Sequence, residues 1–132
     1  MQLTKNFSAE EFMCDCGECI YSSADEARMF LSTDLIMRLQ SVRTVYGKSI
    51  SINSGIRCPS HNGDIGGSDG SSHVPENCDG KCTAADIKCD NSVDRFRLLE
   101  ILMSDFSRIG IHKNFIHVDV DKSKEQGVMW AY

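Results

Sequence analysis

The sequence lacks any apolar run long enough to cross a lipid bilayer, so we expect no membrane insertion. It also lacks a basic excess, because 14 lysines and arginines stand against 19 aspartates and glutamates, giving a net charge of −5. Without a basic cluster, a nucleic-acid partner is not expected. The opening residues, MQLTKNFSAEEF, contain no apolar leader of the kind that directs secretion, which predicts synthesis in a cytoplasm.

Repeats, low-complexity tracts and linkers are missing as well, so we expect one domain spanning residues 1–132 that acts as a monomer. Cysteine, by contrast, is abundant. The chain has seven cysteines, an odd number that would leave one thiol over in a complete set of disulfides. Because no secretory leader is present, thiolate ligands for zinc are a better interpretation than disulfides.

The spacing of apolar residues predicts helices first and then strands mixed with one more helix. Ser8 and Glu11 have the spacing of a capping box, and Gly47 ends a helical pattern over about residues 24–46. Strands are expected in KSISINSGI, TAADIKC, RIGIH, FIHVDVD and GVMWAY. This order predicts an α+β fold, with a small antiparallel sheet packed by two main helices.

The second main helix is predicted in NSVDRFRLLEILMSDF. Its apolar residues recur at helical spacing and are expected to form the buried face: Val93, Phe96, Leu99, Leu102 or Met103, and Phe106. From Cys58 to Cys82 the sequence is rich in Gly, Ser, Asn and Asp, which predicts a long loop. A loop of this length inside a compact domain is usually functional or disordered.

The strand FIHVDVD places polar side chains on one face. Because side chains alternate along a strand, His117, Asp119 and Asp121 share one face, and aliphatic residues occupy the other. The aliphatic face belongs on the core. The opposite face would then present an imidazole and two carboxylates to a cleft, although many strands carry a solvated polar face.

Asp86 lies within the apolar segment AADI, where a carboxylate is costly unless a cation pairs with it. Arg57 is one group that could reach it in space. The other possibility is a metal: His73 from the Gly/Ser loop, Asp86 and His117 would supply three protein ligands. Three ligands with an open fourth position are typical of a catalytic zinc.

Four segments carry a resemblance to a known family: SGIRCPSHN, GGSDGSSH, AADI and FIHVDVD, in that order. Together they resemble the M15 family of zinc peptidases, which includes D-alanyl-D-alanine carboxypeptidases, dipeptidases and phage endolysins. These enzymes share a metal fold with the Hedgehog signalling domain. The resemblance extends over nearly the whole chain, from NFSAEEFMCDCG to GVMWAY.

The resemblance implies a zinc metallopeptidase with His73, Asp86 and His117 as ligands, Ser71 as a substrate contact, and Arg57 holding the substrate or the developing oxyanion. It also implies the substrate, a peptide bond in bacterial peptidoglycan or another D-amino-acid peptide. The reaction would be of the D-Ala-D-Ala carboxypeptidase or L-Ala-D-Glu endopeptidase type. A phage endolysin of this kind would act at the cell wall.

The chain departs from the family pattern between the first histidine and the aspartate. Twelve residues separate His73 from Asp86, more than the family usually has, and the insertion covers about residues 75–82. Asp79 falls nearer the usual spacing and is a rival ligand. We prefer Asp86, because it lies in a predicted buried strand and Asp79 lies in a loop.

The second departure concerns the general base. Asn114 occupies a position that is acidic in several relatives, and an amide cannot accept the proton of a metal-bound water. Asp119 is our substitute for the base; its alternative role is to orient a zinc ligand. His112 is a third candidate. Asn114 also favours a different function, that of a zinc-binding interaction module without turnover.

A second, structural zinc is predicted from the remaining cysteines. CDCGEC places three thiols in a knuckle at residues 14–19, and the insertion adds two more, so four ligands could come from five residues: Cys14, Cys16, Cys19, Cys78 and Cys82. The alternative is a set of free thiols or a stray disulfide. Cys58 and Cys89 are expected to be small buried hydrophobic residues.

Overall fold

The computed structural model describes all residues, 1–132, and has an α+β architecture. The helices are α1 Ala24–Met29, α2 Thr33–Tyr46, α3 Pro59–Asp64 and α4 Ser92–Leu102, with 3-10 helices at Ala9–Phe12, Ile20–Ser22 and Pro75–Asn77. The strands are β1 Ile52–Ser54, β2 Ala84–Lys88, β3 Arg108–Ile111, β4 Phe115–Asp119 and β5 Val128–Ala131. None of the helices has the length and apolarity needed to span a membrane.

The five strands form one sheet in the order β1-β2-β4-β3-β5. All five lie in the predicted segments, but the prediction of a purely antiparallel sheet is wrong, because β5 runs parallel to β3. After β4 the chain returns to the start of β3, where the backbone N–H groups of Gly127 and Val128 both donate to the carbonyl of Ser107. β5 therefore starts beside Arg108 and follows the direction of β3. The likeness to the Hedgehog fold stays a prediction.

The predicted first helix is divided in two. Leu31 forms a bridge with Cys82, and Ser32 then caps α2 by accepting the Leu35 N–H at 3.2 Å. Gly47 ends α2 in the left-handed conformation, as predicted, with φ of 73°. The predicted capping box is also confirmed, because the Ser8 N–H donates to the Glu11 carboxylate at 2.7 Å. The chain between Cys58 and Cys82 contains α3, so this predicted loop is partly helical.

The buried face of α4 agrees only in part with the predicted one. Leu102 and Phe106 are buried, as predicted, and Leu99 is partly buried, but the other predicted positions face solvent. Val93 is 79% exposed, Phe96 is 74% exposed and Met103 is 64% exposed. The residues buried within the helix are Leu98, Ile101 and Leu102. The helix has apolar residues around much of its circumference, so helical spacing is satisfied by more than one face. Packing against α2 and the sheet selects the one that is buried.

Gly55 follows β1 and lies against the N-terminal segment. A Cβ atom at this position would lie 2.7 Å from the Cα atom of Phe12 and 2.8 Å from its carbonyl oxygen. The close approach allows the backbone N–H of Ile56 to donate to Phe12 O at 2.9 Å. A glycine is therefore required here for the N-terminal segment to reach the strand.

Gly55→Ala is expected to lower the free energy of unfolding by about 1–3 kcal/mol, the usual cost of overpacking a rigid site. The neighbouring atoms belong to backbone, so they cannot move aside as a flexible side chain would. Chemical denaturation measures the change. Gly63→Ala in α3 is the matched control, because a Cβ there meets nothing within 4 Å, and its stability should not fall. An unchanged Gly55→Ala midpoint would contradict the tight approach.

Candidate metal centre

The three predicted ligands converge on one face of the sheet. Asp86 in β2 and His117 in β4 are directly opposite each other in the antiparallel pairing. His73 comes from the loop before β2, and its carbonyl accepts the backbone N–H of Arg57 at 3.0 Å. Their ligand atoms all lie within 4.8 Å of one another, and all three residues are buried. The structure therefore brings together the predicted set.

Hydrogen bonds fix which nitrogen of each imidazole can bind a metal. The Nδ1 atom of His73 lies 2.7 Å from the carbonyl oxygen of Gly55, which can only accept, so this nitrogen carries the proton. In His117 the Nε2 atom donates to Asp119 Oδ2 at 2.8 Å. The other two ring nitrogens, His73 Nε2 and His117 Nδ1, lie 3.2 and 3.0 Å from Asp86 Oδ1, so these are the nitrogens available to a metal. Partners of this kind hold metal-binding histidines in the required tautomer.

Asp86 presents one oxygen to the imidazoles and the other to a cation. Its Oδ2 atom accepts from Arg57 Nη2 at 2.9 Å. Burial alone would raise the pKa of Asp86, but its contacts with the imidazoles of His117 and His73 outweigh burial and lower it. Asp86 is thus a carboxylate, the form that binds a metal. The rival ligand Asp79 is exposed in a turn with φ of 54° and lies outside this group.

The pKa values of the two histidines are shifted in opposite directions. Burial lowers the pKa of His73, which favours the neutral ring that binds metals. Burial would also lower the pKa of His117, but hydrogen bonds to Asp119 and Asp86 outweigh it and raise the pKa. A metal at this site competes with a proton for His117, so metal binding is expected to weaken as the pH falls.

Asp119 is fully engaged in hydrogen bonds. Its Oδ2 atom accepts from His117, and its Oδ1 atom accepts from Arg108 Nε at 2.8 Å and from the Asp121 N–H at 3.1 Å. Burial would raise the pKa of Asp119, but the hydrogen bond from His117 outweighs it, so the pKa is lowered. The carboxylate contacts the ring nitrogen that does not face Asp86. Of the two roles that the sequence left open, these contacts favour orientation of His117.

Arg57 holds Asp86 in place. Besides that ion pair, its Nε atom donates to Ser54 Oγ at 2.9 Å and its Nη1 atom to Asn62 Oδ1 at 3.2 Å. A guanidinium has five N–H donors, so some remain for a substrate or an oxyanion. The family resemblance implies that Arg57 also holds the substrate or the oxyanion, and that role stays a prediction. Asn62, which is buried, is a site residue that sequence reasoning missed.

A cavity of about 640 Å³ opens above the three ligands. Its wall includes Ser71, whose hydroxyl accepts the His73 N–H at 3.2 Å, and three cationic side chains, Arg57, Arg108 and Lys124. Sequence reasoning missed Arg108 and Lys124. For Arg108 a signal existed, because strand alternation places it on the same face as Gly110, which pairs with His117.

Gly110 makes room for an aromatic wall of the cavity. A Cβ atom at this position would lie 2.6 Å from Trp130 Nε1, so the indole of β5 lies directly over the glycine. The ring centroid of Trp130 is 5.5 Å from that of His117, and the guanidinium carbon of Arg108 lies 5.1 Å from the indole. The indole therefore packs beside the ligand and the cation together.

The third candidate for the general base, His112, and Asn114, at the position that is acidic in several relatives, lie outside the cavity wall. Asn114 is exposed, and its backbone N–H donates to His112 Nδ1 at 3.1 Å. The His112 ring stacks on Phe115 with a centroid distance of 4.5 Å. Phe115 lines the cavity, but His112 and Asn114 do not. The two carboxylates that do line it are Asp86 and Asp119, both of which are already hydrogen-bonded.

The structure corrects the predicted cysteine site. The knuckle thiols of Cys14, Cys16 and Cys19 gather with Cys58, which was expected to be only a small buried hydrophobic residue; these are the four sulfurs that could share a metal. The reason is that the chain after β1 lies against the N-terminal segment, which delivers Cys58 to the knuckle.

The two cysteines of the insertion, Cys78 and Cys82, lie outside the sulfur group, so their prediction as ligands is wrong. The Cys78 thiol donates to Ser72 O at 3.6 Å, and the Cys82 thiol donates to Ala84 O at 3.2 Å. Cys82 pairs with the connection between α1 and α2 instead: its backbone N–H donates to Phe30 O at 2.7 Å, and its carbonyl accepts the Ser32 N–H at 2.9 Å. Cys89 is buried, as expected.

Comparison with known families agrees with this geometry. A family model described as Peptidase M15 matches residues 5–119, which include the three converging ligands, Arg57, Ser71 and Asp119. A search against curated proteins returned no matching relative. The peptidases of this family depend on zinc, and two imidazoles and a carboxylate facing an open cavity suit that ion. The chain therefore belongs to the Peptidase M15 family.

Proposed function

We propose that the protein is a zinc-dependent peptidase that hydrolyses a peptide bond of bacterial peptidoglycan. The observation that carries the proposal is the convergence of His73 Nε2, Asp86 and His117 Nδ1 below an open cavity in an M15 chain. Three such ligands leave a coordination position free for water or substrate, as catalytic zinc sites do.

The residues around the ligands have distinct tasks in this proposal. A zinc ion bound there would supply an activated water and a Lewis acid for the scissile carbonyl. Gly55 and Asp119 hold the two imidazoles, and Arg57 holds Asp86, so the ligands are oriented before the substrate arrives. The hydroxyl hydrogen of Ser71 is free to donate to a peptide carbonyl at the cavity wall.

The charge of the cavity supports an acidic peptide as substrate. Three cations, Arg57, Arg108 and Lys124, line it against two carboxylates, each of which is paired with one of the arginines, so the wall has one cation in excess. Stem peptides of peptidoglycan carry D-glutamate and a free terminal carboxylate, which are groups that guanidinium and ammonium bind well. A protein with this activity would work at the cell wall, for instance as a phage endolysin.

A second candidate function is a zinc-binding interaction module without turnover. The observation that favours it is the lack of a free carboxylate in the cavity wall, together with the exposed Asn114 at the acidic position of several relatives. Under this proposal the same ligands bind zinc and the cavity binds a peptide, but no bond is cleaved.

Digestion of purified peptidoglycan distinguishes these functions. We expect the zinc-loaded protein to release fragments that mass spectrometry identifies, with loss of a terminal D-Ala for a carboxypeptidase or cleavage after L-Ala for an endopeptidase. Removal of zinc with a chelator should abolish the products, because the chain alone supplies no activated water. Added zinc should restore them. A zinc-loaded protein that binds peptidoglycan but releases nothing would support the second candidate.

A further inference from the structure

We propose that Cys14, Cys16, Cys19 and Cys58 bind a second, structural zinc ion that ties the N-terminal knuckle to the segment supporting the candidate metal centre. The four sulfur atoms all lie within 4.8 Å of one another, and no disulfide joins them. Three of them lie in the N-terminal knuckle at residues 14–19, and Cys58 lies after α1, α2 and β1. A group of this kind outside the peptidase ligands has no role in the proposed reaction.

The sulfur spacing matches that of a tetrahedral thiolate site. With Zn–S bonds of about 2.3 Å, the edges of a regular tetrahedron of sulfurs are about 3.8 Å long. The Sγ atoms of Cys14 and Cys16 are 3.6 Å apart, and those of Cys16 and Cys58 are 3.9 Å apart. These two edges match the expected length, and the other sulfur pairs lie within 4.8 Å, a spacing that one ion can bridge.

Backbone N–H groups point at the sulfurs as they would at thiolates. The N–H of Glu18 lies 3.4 Å from Cys16 Sγ, that of His61 lies 3.4 Å from Cys58 Sγ, and that of Cys58 lies 3.5 Å from Cys14 Sγ. Donors of this kind stabilise negative charge on the acceptor. The positive φ of Gly17, 72°, makes the tight turn that directs the Glu18 N–H at Cys16.

The site is closed, which fits a structural role. Cys14 and Cys58 are buried, and Cys16 and Cys19 are half-buried. Four thiolates complete the coordination of zinc and leave no position for substrate. Tetrahedral sulfur ligation also accepts iron, but a single closed set of four cysteines without electron-transfer partners on the chain is the common structural use of zinc.

The segment that Cys58 anchors also supports the peptidase ligands. Within this segment Gly55 O accepts the His73 Nδ1–H, Ile56 N–H donates to Phe12 O, and Arg57 holds Asp86. A zinc ion on Cys58 would fix the end of this segment to the knuckle. The thiolate zinc is therefore expected to hold the supporting backbone of the other metal centre in place.

Metal analysis of the full chain tests the proposal. The wild-type protein should bind about two zinc ions, and the His73→Ala/His117→Ala variant should keep about one, bound to the thiolates. With cobalt in place of zinc, that variant should show an intense thiolate-to-metal charge-transfer band in the near ultraviolet and the visible absorption of tetrahedral cobalt. In the otherwise wild-type protein, Cys16→Ser/Cys19→Ser should remove the thiolate band and lower the zinc content by about one ion.

Cys78→Ala is the matched control, because this thiol lies outside the four-sulfur group and should not change the zinc content or the cobalt spectrum. The proposal is overturned if the His73→Ala/His117→Ala variant binds no zinc, if its cobalt spectrum has no thiolate band, or if the metal found there is iron. These readouts need neither a folded cysteine variant nor peptidase activity. Failure of the proposed peptidase function would leave them unaffected.

Discussion

His73→Ala is expected to abolish peptidoglycan hydrolysis and to remove the zinc ion of the candidate metal centre. The substitution deletes one of three ligand atoms and leaves only Asp86 and His117. The loss of zinc affinity should exceed the roughly 10–100-fold that follows from changing an outer partner of a ligand. Zinc titration against a competing chelator and the muropeptide assay measure the two effects.

The matched control for this variant is His61→Ala. His61 lies in α3, outside the cavity wall, and its side chain is not among the converging ligands. It should keep wild-type zinc affinity and activity, and thermal unfolding of both variants should show that each is folded. If folded His73→Ala retained wild-type zinc affinity, the proposed ligand set would be wrong.

Asp86→Ala should abolish the same activity but with a larger loss of stability. It removes a zinc ligand and also the partner of Arg57, whose guanidinium is largely buried. Removing one member of a buried ion pair costs roughly 3–5 kcal/mol, because the remaining charge is left unpaired. For this reason His73→Ala gives the clearer reading of metal binding.

Asp119→Asn is expected to weaken zinc binding roughly 10–100-fold, the usual effect of altering the hydrogen-bond partner of a metal-binding histidine. Asp119 accepts from His117 on one oxygen and from Arg108 on the other. An asparagine offers only one acceptor, so either the imidazole or the guanidinium would face an amide N–H. At saturating zinc we expect kcat to remain close to the wild-type value.

The same variant tests the sequence-based prediction that Asp119 is the general base. In that case zinc affinity would be unchanged, and kcat at full occupancy would fall by about 10²–10⁴, the usual contribution of a general base. Asp121→Asn is the matched control. Asp121 is also buried, but its carboxylate accepts from Ser72 and Ser123 and does not touch His117, so zinc affinity should be preserved.

Much of the site was predictable because its residues differ in polarity from their neighbours in sequence. Asp86 is a carboxylate in an apolar strand, where it is costly without a cation. His117 alternates with aliphatic residues, so strand periodicity assigns it to a defined face. The order of the motifs that contain them resembles the M15 family, and this resemblance implied that they are zinc ligands. The helix caps at Ser8 and Gly47 were also predictable from local sequence, because capping depends on residues only a few positions apart.

Other features depended on contacts between distant parts of the chain. The apolar residues of α4 are compatible with more than one buried face, and packing chose Leu98 and Ile101 over Val93 and Phe96. The parallel placement of β5 follows from its hydrogen bonds to Ser107, far from β5 in sequence. Local periodicity contains no information about such pairings.

The sequence by itself determined which residues could bind a metal, because the chemistry of imidazole, carboxylate and thiol is a property of each side chain. Only the tertiary structure decided how they combine. Strand register places Asp86 opposite His117, Asp119 behind the imidazole and Arg108 beside it. The approach of the chain after β1 to the N-terminal knuckle gives Cys58, not Cys78 or Cys82, to the sulfur group. Register and approach are set by long-range packing, which no short stretch of residues specifies.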